Sequence, residues 1–119
     1  MKLEFMTIEK FEDIIAWQKS KTLTLEVYKS FKDNKDYSFK NQIQKASVSV
    51  MNNIAEGYER KSNKEFKQFL FIAKGSAGEV RTMLHLAKDI EYIDNVQYNN
   101  LLELSLCISR MLSNFIKKL

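Results

Sequence analysis

The chain is predicted to be all-α: an antiparallel, up-down-up-down four-helix bundle in one domain over residues 1–119, assembled with copies of itself. Three observations carry this expectation. The chain has no proline and only three glycines, so the turn punctuation that a multi-stranded sheet needs is missing. Apolar residues recur at spacings of three and four, the period of a helix buried on one side. The polar stretches between the periodic segments are short, and short connectors lay sequential helices side by side in opposite directions.

Each helix has its own warrant. The first is predicted over about 12–32, with Ile14, Trp17, Leu25, Tyr28 and Phe31 on one side. Asp33-Asn34-Lys35-Asp36 then reads as a connector. The second, about 38–57, carries Phe39, Ile43, Ala46, Val50 and Ile54, with Gly57 suited to its C-terminal stop. The third, about 62–90, opens on the capping box Ser62-Asn63-Lys64-Glu65. It buries Phe66, Phe69, Leu70, Ala73, Ala77, Val80, Leu84 and Ala87. The fourth, about 94–118, starts at Asp94 with Gln97 three residues on. Its seam is Tyr98, Leu101, Ser105, Ile108, Leu112, Phe115 and Leu119.

Two features point beyond a monomer. The first helix adds Ala16, Leu23 and Val27 away from its main side, and the fourth adds Leu104, Cys107 and Met111. Apolar arcs wider than about 100° exceed what a four-helix core consumes. Gly75 and Gly78 lie inside the third helix, where glycine costs about 1 kcal/mol relative to alanine. Close approach of another backbone is one explanation and a bend the other, and the first is the expectation.

Composition bounds the function. A single cysteine, Cys107, forbids an internal disulfide and fits a reducing cytoplasm. No apolar run approaches the ~20 residues that span a bilayer, so no membrane role is expected. Lys2, Glu4 and Glu9 break up the first ten residues, so no signal-peptide core is expected. The net charge of +4 tilts the chain mildly toward anionic partners.

No catalytic constellation is visible, and neither cofactor nor metal is expected. His85 is the only histidine, and Thr82 stands where the E-x-x-H repeat of a di-iron bundle needs glutamate. Cys107 among Leu104, Leu106, Ile108 and Met111 reads as an inert thiol. Asn53, Glu56 and Glu79 lie on the second and third helices, which should be neighbours. They read as a satisfied polar network or helix-end capping rather than a catalytic carboxylate pair.

A basic stripe is the main functional pointer. Arg60, Lys67, Lys74, Arg81 and Lys88 recur every seven residues, with Lys64 nearby, and climb one side of the third helix with about 20° of drift per heptad. Apart from Glu56 and Glu91 at the ends, their helical neighbours include no carboxylate. Phe71 stands between Lys67 and Lys74, placed to stack on a base or pack into a neighbour. The stripe reads equally as a phosphate-binding surface or as a solvated flank neutralised by Glu12, Glu26 or Glu103.

The chain resembles a known family at particular residues. Phe11-Glu12-Asp13-Ile14 and Trp17-Gln18-Lys19 match an F-x-D-L-x-x-W-Q-K opening. The segment from Ser49 to Gly57 looks like S-I-P-x-N-I-A-E-G, and Arg60, Ser62, Lys64-Glu65-Phe66, Phe69-Leu70, Ile72-Ala73, Gly75-Ser76 and Glu79 continue in register. This is the four-helix-bundle family encoded by intervening sequences in bacterial 23S ribosomal RNA genes, sometimes labelled ribosomal proteins. It is similar to the accessory protein of diversity-generating retroelements. The resemblance implies a homopentamer with a central opening and, for the retroelement relatives, a basic surface that binds nucleic acid and a reverse transcriptase. Met51 replaces the family's proline, which removes the reason for a kink in the second helix. Ala77-Gly78 is smaller than the usual pair and Phe71 stands at a commonly polar position.

The resulting expectation is a non-enzymatic, oligomeric, cytoplasmic helical-bundle protein that binds RNA or DNA through the third helix. The alternative is a protein-binding scaffold with no nucleic-acid role.

Overall fold

The computed structural model describes Lys2–Leu3, Met6–Thr7 and residues 8–119, with side chains from Ile8 onward. Glu4, one of the charges weighed against a signal peptide, lies outside the described residues. The chain is all-α apart from a two-residue ladder of β1 (Lys2–Leu3) with β2 (Met6–Thr7), in the register Lys2↔Thr7 and Leu3↔Met6. A 3-10 turn, Phe11–Asp13, precedes four helices: α1 (Ile15–Ser30), α2 (Tyr37–Tyr58), α3 (Asn63–Asp89) and α4 (Asn95–Lys117). The molecule measures 44 × 23 × 19 Å, with its long dimension close to the ~40 Å length of α3.

All four helices contribute to one apolar core. Packing runs from α1 to α2, α2 to α3, α3 to α4, and back from α4 to α1, with the α2–α3 pairing the broadest. Particular pairs fix the register. Thr24 Oγ1 donates to the Ser47 carbonyl at 3.1 Å. The Ser49 and Ser76 hydroxyls meet at 2.8 Å. Phe66 stacks edge-on against Phe115 at 5.3 Å, and His85 meets Tyr98.

The second, third and fourth helices bury the residues their periodicity selects. Phe39, Ile43, Ala46, Val50 and Ile54 are buried on α2. On α3 every predicted core residue is buried except Phe69, which is half-buried, and Met83 joins them. On α4, Leu101, Ser105, Ile108 and Leu112 of the predicted seam are buried together with Ile116, which it missed, while Tyr98, Phe115 and Leu119 of the seam are half-buried, as are Leu104, Cys107 and Met111.

The first helix differs from expectation in two ways. It does not start near residue 12: the Asp13 carboxylate accepts from the Glu9 and Lys10 amides and closes a separate turn. Ile14 follows in extended backbone, φ −75 and ψ 118, before α1 begins. The buried face of α1 is also the one read as secondary, with Ala16, Ser20, Leu23, Thr24 and Val27 inside, while Leu25 is 56% exposed and Tyr28 46%. Two hydroxyls explain the misreading. Ser20 Oγ donates to the Ala16 carbonyl and Thr24 Oγ1 to the Ser20 carbonyl, so polar residues sit in the core already satisfied.

Gly57 departs from its predicted role. Gly57 does not stop α2, which continues to Tyr58. It is buried, and a Cβ there would lie 2.6 Å from Phe69 Cβ and 3.0 Å from Phe66 Cδ1, so only glycine lets α3 come this close. Among the described residues nothing comes within 4 Å of a Cβ at Gly75 or Gly78, so none of them makes the expected close approach.

The helix ends follow their caps. Ser62 Oγ accepts from the Glu65 amide, though the Glu65 carboxylate turns to the Ser62 hydroxyl rather than to its backbone. Asp94 and Gln97 form a complete capping box. α3 ends without glycine: the Tyr92 amide donates to the Ala87 carbonyl and that of Glu91 to Lys88, with Glu91 itself left-handed at φ 61. Tyr92 then donates its hydroxyl to the Asp36 carboxylate at 2.6 Å, tying the α3–α4 turn to the N-cap of α2.

Gly57→Ala is expected to lower stability by about 1–3 kcal/mol through overpacking. Gly75→Ala is expected to raise it by up to about 1 kcal/mol through helix propensity, both read by denaturant titration. The Asp36–Tyr92 bond adds a pH signature. The hydroxyl of Tyr92, then the Phe39 amide, hold the Asp36 carboxyl below its ordinary value of 3.8. A depressed folded pKa gives stabilisation that is full above the ordinary value and is lost below it, as pH falls through the folded pKa. Tyr92→Phe is therefore expected to lower the melting temperature at neutral pH and to lose that deficit only on acidification below about pH 4.

Candidate nucleic-acid interface

Lys67, Lys74, Arg81 and Lys88 occupy one flank of α3, as the seven-residue spacing requires. Lys74 and Lys88 are exposed, and Lys67 and Arg81 are half-buried. Lys64 is exposed in the first turn, about 60° further round by helical geometry. Arg60 lies before α3, outside the predicted 62–90 helix as well, in the α2–α3 connection, and its guanidinium stacks 4.8 Å from the Phe69 ring on the α2 side. The continuous part of the stripe is thus Lys67 to Lys88.

This flank faces α4. The Lys88 ammonium sits 4.6 Å above the Tyr98 ring, and Tyr98 also hydrogen-bonds His85 Nδ1 at 2.9 Å. Arg81 shares a groove of about 320 Å³ with Leu106, Ser109, Arg110, Ser113 and Asn114 of α4. Arg110 lies on another helix and outside the heptad register, so the spacing along α3 gives no sign of it. Among the described residues no carboxylate pairs with any of the six predicted basic side chains, Glu12, Glu26 and Glu103 included. Phe71, between Lys67 and Lys74 in sequence, is 54% exposed, and Ile72 beside it 53%.

The predicted polar network divides into separate parts. Asn53 Nδ2 donates to the Ser49 carbonyl at 2.8 Å and to its hydroxyl at 3.0 Å, and Ser49 in turn reaches Ser76. Glu79 instead accepts from Gln42 Nε2 at 3.2 Å. Glu56 is exposed and lines a shallow groove on the outer side of α2 with Asn52, Asn53, Lys45 and Tyr28. Hydroxyls and carboxamides, not a carboxylate pair, hold α2 to α3 here. Ser49 and Ser76 were the missed members, and their paired positions on facing helices were the available signal.

No group of three or more His, Cys, Asp or Glu among the described residues is placed to hold a metal ion. No helix among them is long and apolar enough to cross a membrane.

Comparison with known proteins supplies a family. Residues 12–114 match the family model described as 23S rRNA-intervening sequence protein. A crystal structure of a Bacteroides thetaiotaomicron protein of unknown function, from the S23 ribosomal protein family, is similar at a TM-score of 0.82 and 28% identity. The match covers 87% of this chain and 99% of that one. No curated protein matches the chain.

Ser49→Ala is expected to cost about 1 kcal/mol, because it removes the half-buried link between α2 and α3. Glu79→Gln, exposed and still able to bond Gln42, should change stability by less than about 0.5 kcal/mol. Parallel denaturant titrations of the two variants check the contrast.

Proposed function

For a chain that belongs to the 23S rRNA-intervening sequence protein family, we propose a non-enzymatic, homo-oligomeric, cytoplasmic protein that binds RNA or DNA through the α3 flank. The observation that carries this reading is the row Lys67, Lys74, Arg81 and Lys88, unpaired with carboxylates among the described residues. Cations neutralised by neighbouring carboxylates say nothing about partners, whereas a row left without counter-charges favours a polyanion.

The helices are read as an antiparallel, up-down-up-down bundle. Cross-helix partners support this: from 42 to 57 on α2 they descend from 79 to 66 on α3, and from 66 to 85 on α3 they descend from 115 to 98 on α4. Exposed apolar residues support self-association, with Ile15, Leu25 and Tyr28 on α1 and Phe71, Ile72 and Leu86 on α3. The family resemblance extends this to a homopentamer, to kinship with the retroelement accessory protein and to a reverse transcriptase as partner. Five copies would multiply a few weak phosphate interactions into useful avidity.

The scaffold reading has one observation in its favour. Phe71 beside the basic row and Ile72, about 100° further round α3 toward α2, are exposed apolar residues suited to a protein partner. Exchange of both for polar residues would abolish binding to a protein and leave charge-driven RNA binding intact.

Lys67→Gln with Lys74→Gln tests the main reading. Affinity for nucleic acid should weaken about equally for all sequences. The log–log salt slope should flatten by about 0.7 for each single-strand phosphate that is no longer neutralised. Unchanged affinity and slope, with oligomer mass intact by light scattering, would show the row to be a solvated flank.

A further inference from the structure

The groove between α3 and α4 differs from the rest of the basic flank in its chemistry. Arg81 enters it from α3, and Ser109, Arg110, Ser113 and Asn114 from α4, over an apolar floor at Leu106. Serines inside helices usually turn their hydroxyls back on their own backbone. Ser20, Ser47 and Ser105 do so, donating to carbonyls three or four residues earlier. Ser109 and Ser113, one turn apart and half-buried, make no such bond, and Arg81, Arg110 and Asn114 likewise take no partner among the described residues. Two guanidiniums, two hydroxyls and a carboxamide therefore meet in one groove with their donors uncommitted. The nearest carboxylate earlier on α4, Glu103, is about two turns from Arg110 and pairs with neither arginine.

We propose that this groove is a phosphate clamp, in which Arg81 and Arg110 grip one backbone phosphate of a bound strand and Ser109, Ser113 and Asn114 donate to its oxygens. The assignment rests on the nucleic-acid reading above and deepens it. Lysines act on phosphate as point charges, whereas arginine presents a planar fork that matches two phosphate oxygens at once. The flank then engages a strand in two ways. Lys67 and Lys74 supply a diffuse field along α3, and the clamp fixes where one phosphate rests.

Charge-preserving variants separate the two, using the full chain and a short single-stranded oligouridylate. Arg81→Lys with Arg110→Lys keeps every charge but removes both forks. It is expected to weaken binding about tenfold while leaving the salt slope unchanged. Lys67→Arg with Lys74→Arg should stay within about twofold of the parent, since point charges are exchanged for equal charges. Ser109→Ala with Ser113→Ala, which favours the helix, should weaken binding several-fold and provides a second reading should the arginine variant misfold. If the arginine variant binds like the parent while Lys67→Gln with Lys74→Gln weakens binding, the clamp is wrong and the basic-surface reading survives. A parent that fails to bind the strand overturns both. An arginine variant whose affinity is unchanged but whose oligomer mass shifts makes the groove an interface between copies, which also overturns the clamp.

Discussion

Two helices approach only as closely as the side chains between them allow, and at Gly57 the α2–α3 pair reaches that limit. A methyl group there would overlap Phe69 Cβ, so the absence of a side chain admits Phe66 and Phe69 against the α2 backbone. Phe66 carries the constraint onward, stacking against Tyr58 at 6.0 Å and Phe115 at 5.3 Å. The end of α2, the start of α3 and the end of α4 are thereby locked at one end of the molecule. At the other end Asp36, Tyr92 and Phe39 play the corresponding part, with the Phe39 and Tyr92 rings 5.3 Å apart. Between the two ends the Ser49–Ser76 bond holds the register of α2 on α3.

The presentation of the basic flank follows from this arrangement. With one side of α3 committed to α2 and its apolar face to the core, the lysine and arginine row falls along the seam with α4. Tyr98 seats Lys88, and Arg81 meets Arg110 across the groove. Cations on two helices are concentrated in one seam by packing that is itself mainly apolar, with the Ser49–Ser76 and Asp36–Tyr92 bonds fixing its register. The electrostatics are a consequence of the fold and contribute little to holding it.

Helices with a strong single-face pattern were legible from sequence, and those whose core face carries polar atoms were not. α2, α3 and α4 follow their apolar periodicity, and the caps at Ser62 and Asp94 mark their starts. α1 misleads because Ser20 and Thr24 are buried with their hydroxyls satisfied by backbone carbonyls, while the large Leu25 and Tyr28 face outward. Gly57 misleads because close approach and helix termination use the same residue for different reasons. The end of α3 was placed within a residue, though Glu91 adopts a left-handed conformation that a side chain disfavours and that no glycine announced. The heptad row on α3 was legible, its partner Arg110 was not, and neither was the turn of Arg60 onto the Phe69 ring. One-dimensional spacing orders residues along one helix but cannot see what a second helix brings to the same groove.

A nucleic-acid strand lying along the α3–α4 seam is the central claim, and its position can be read directly. The measurement is photo-crosslinking of the full chain to a strand bearing 4-thiouridine, with crosslinked peptides identified by mass spectrometry. Crosslinks are predicted in the segment of α3 from Lys67 to Arg81, Phe71 included, and in α4 around Ser109 to Asn114. Crosslinks concentrated instead on the outer groove of α2, around Lys45, Asn52 and Glu56, would contradict the claim.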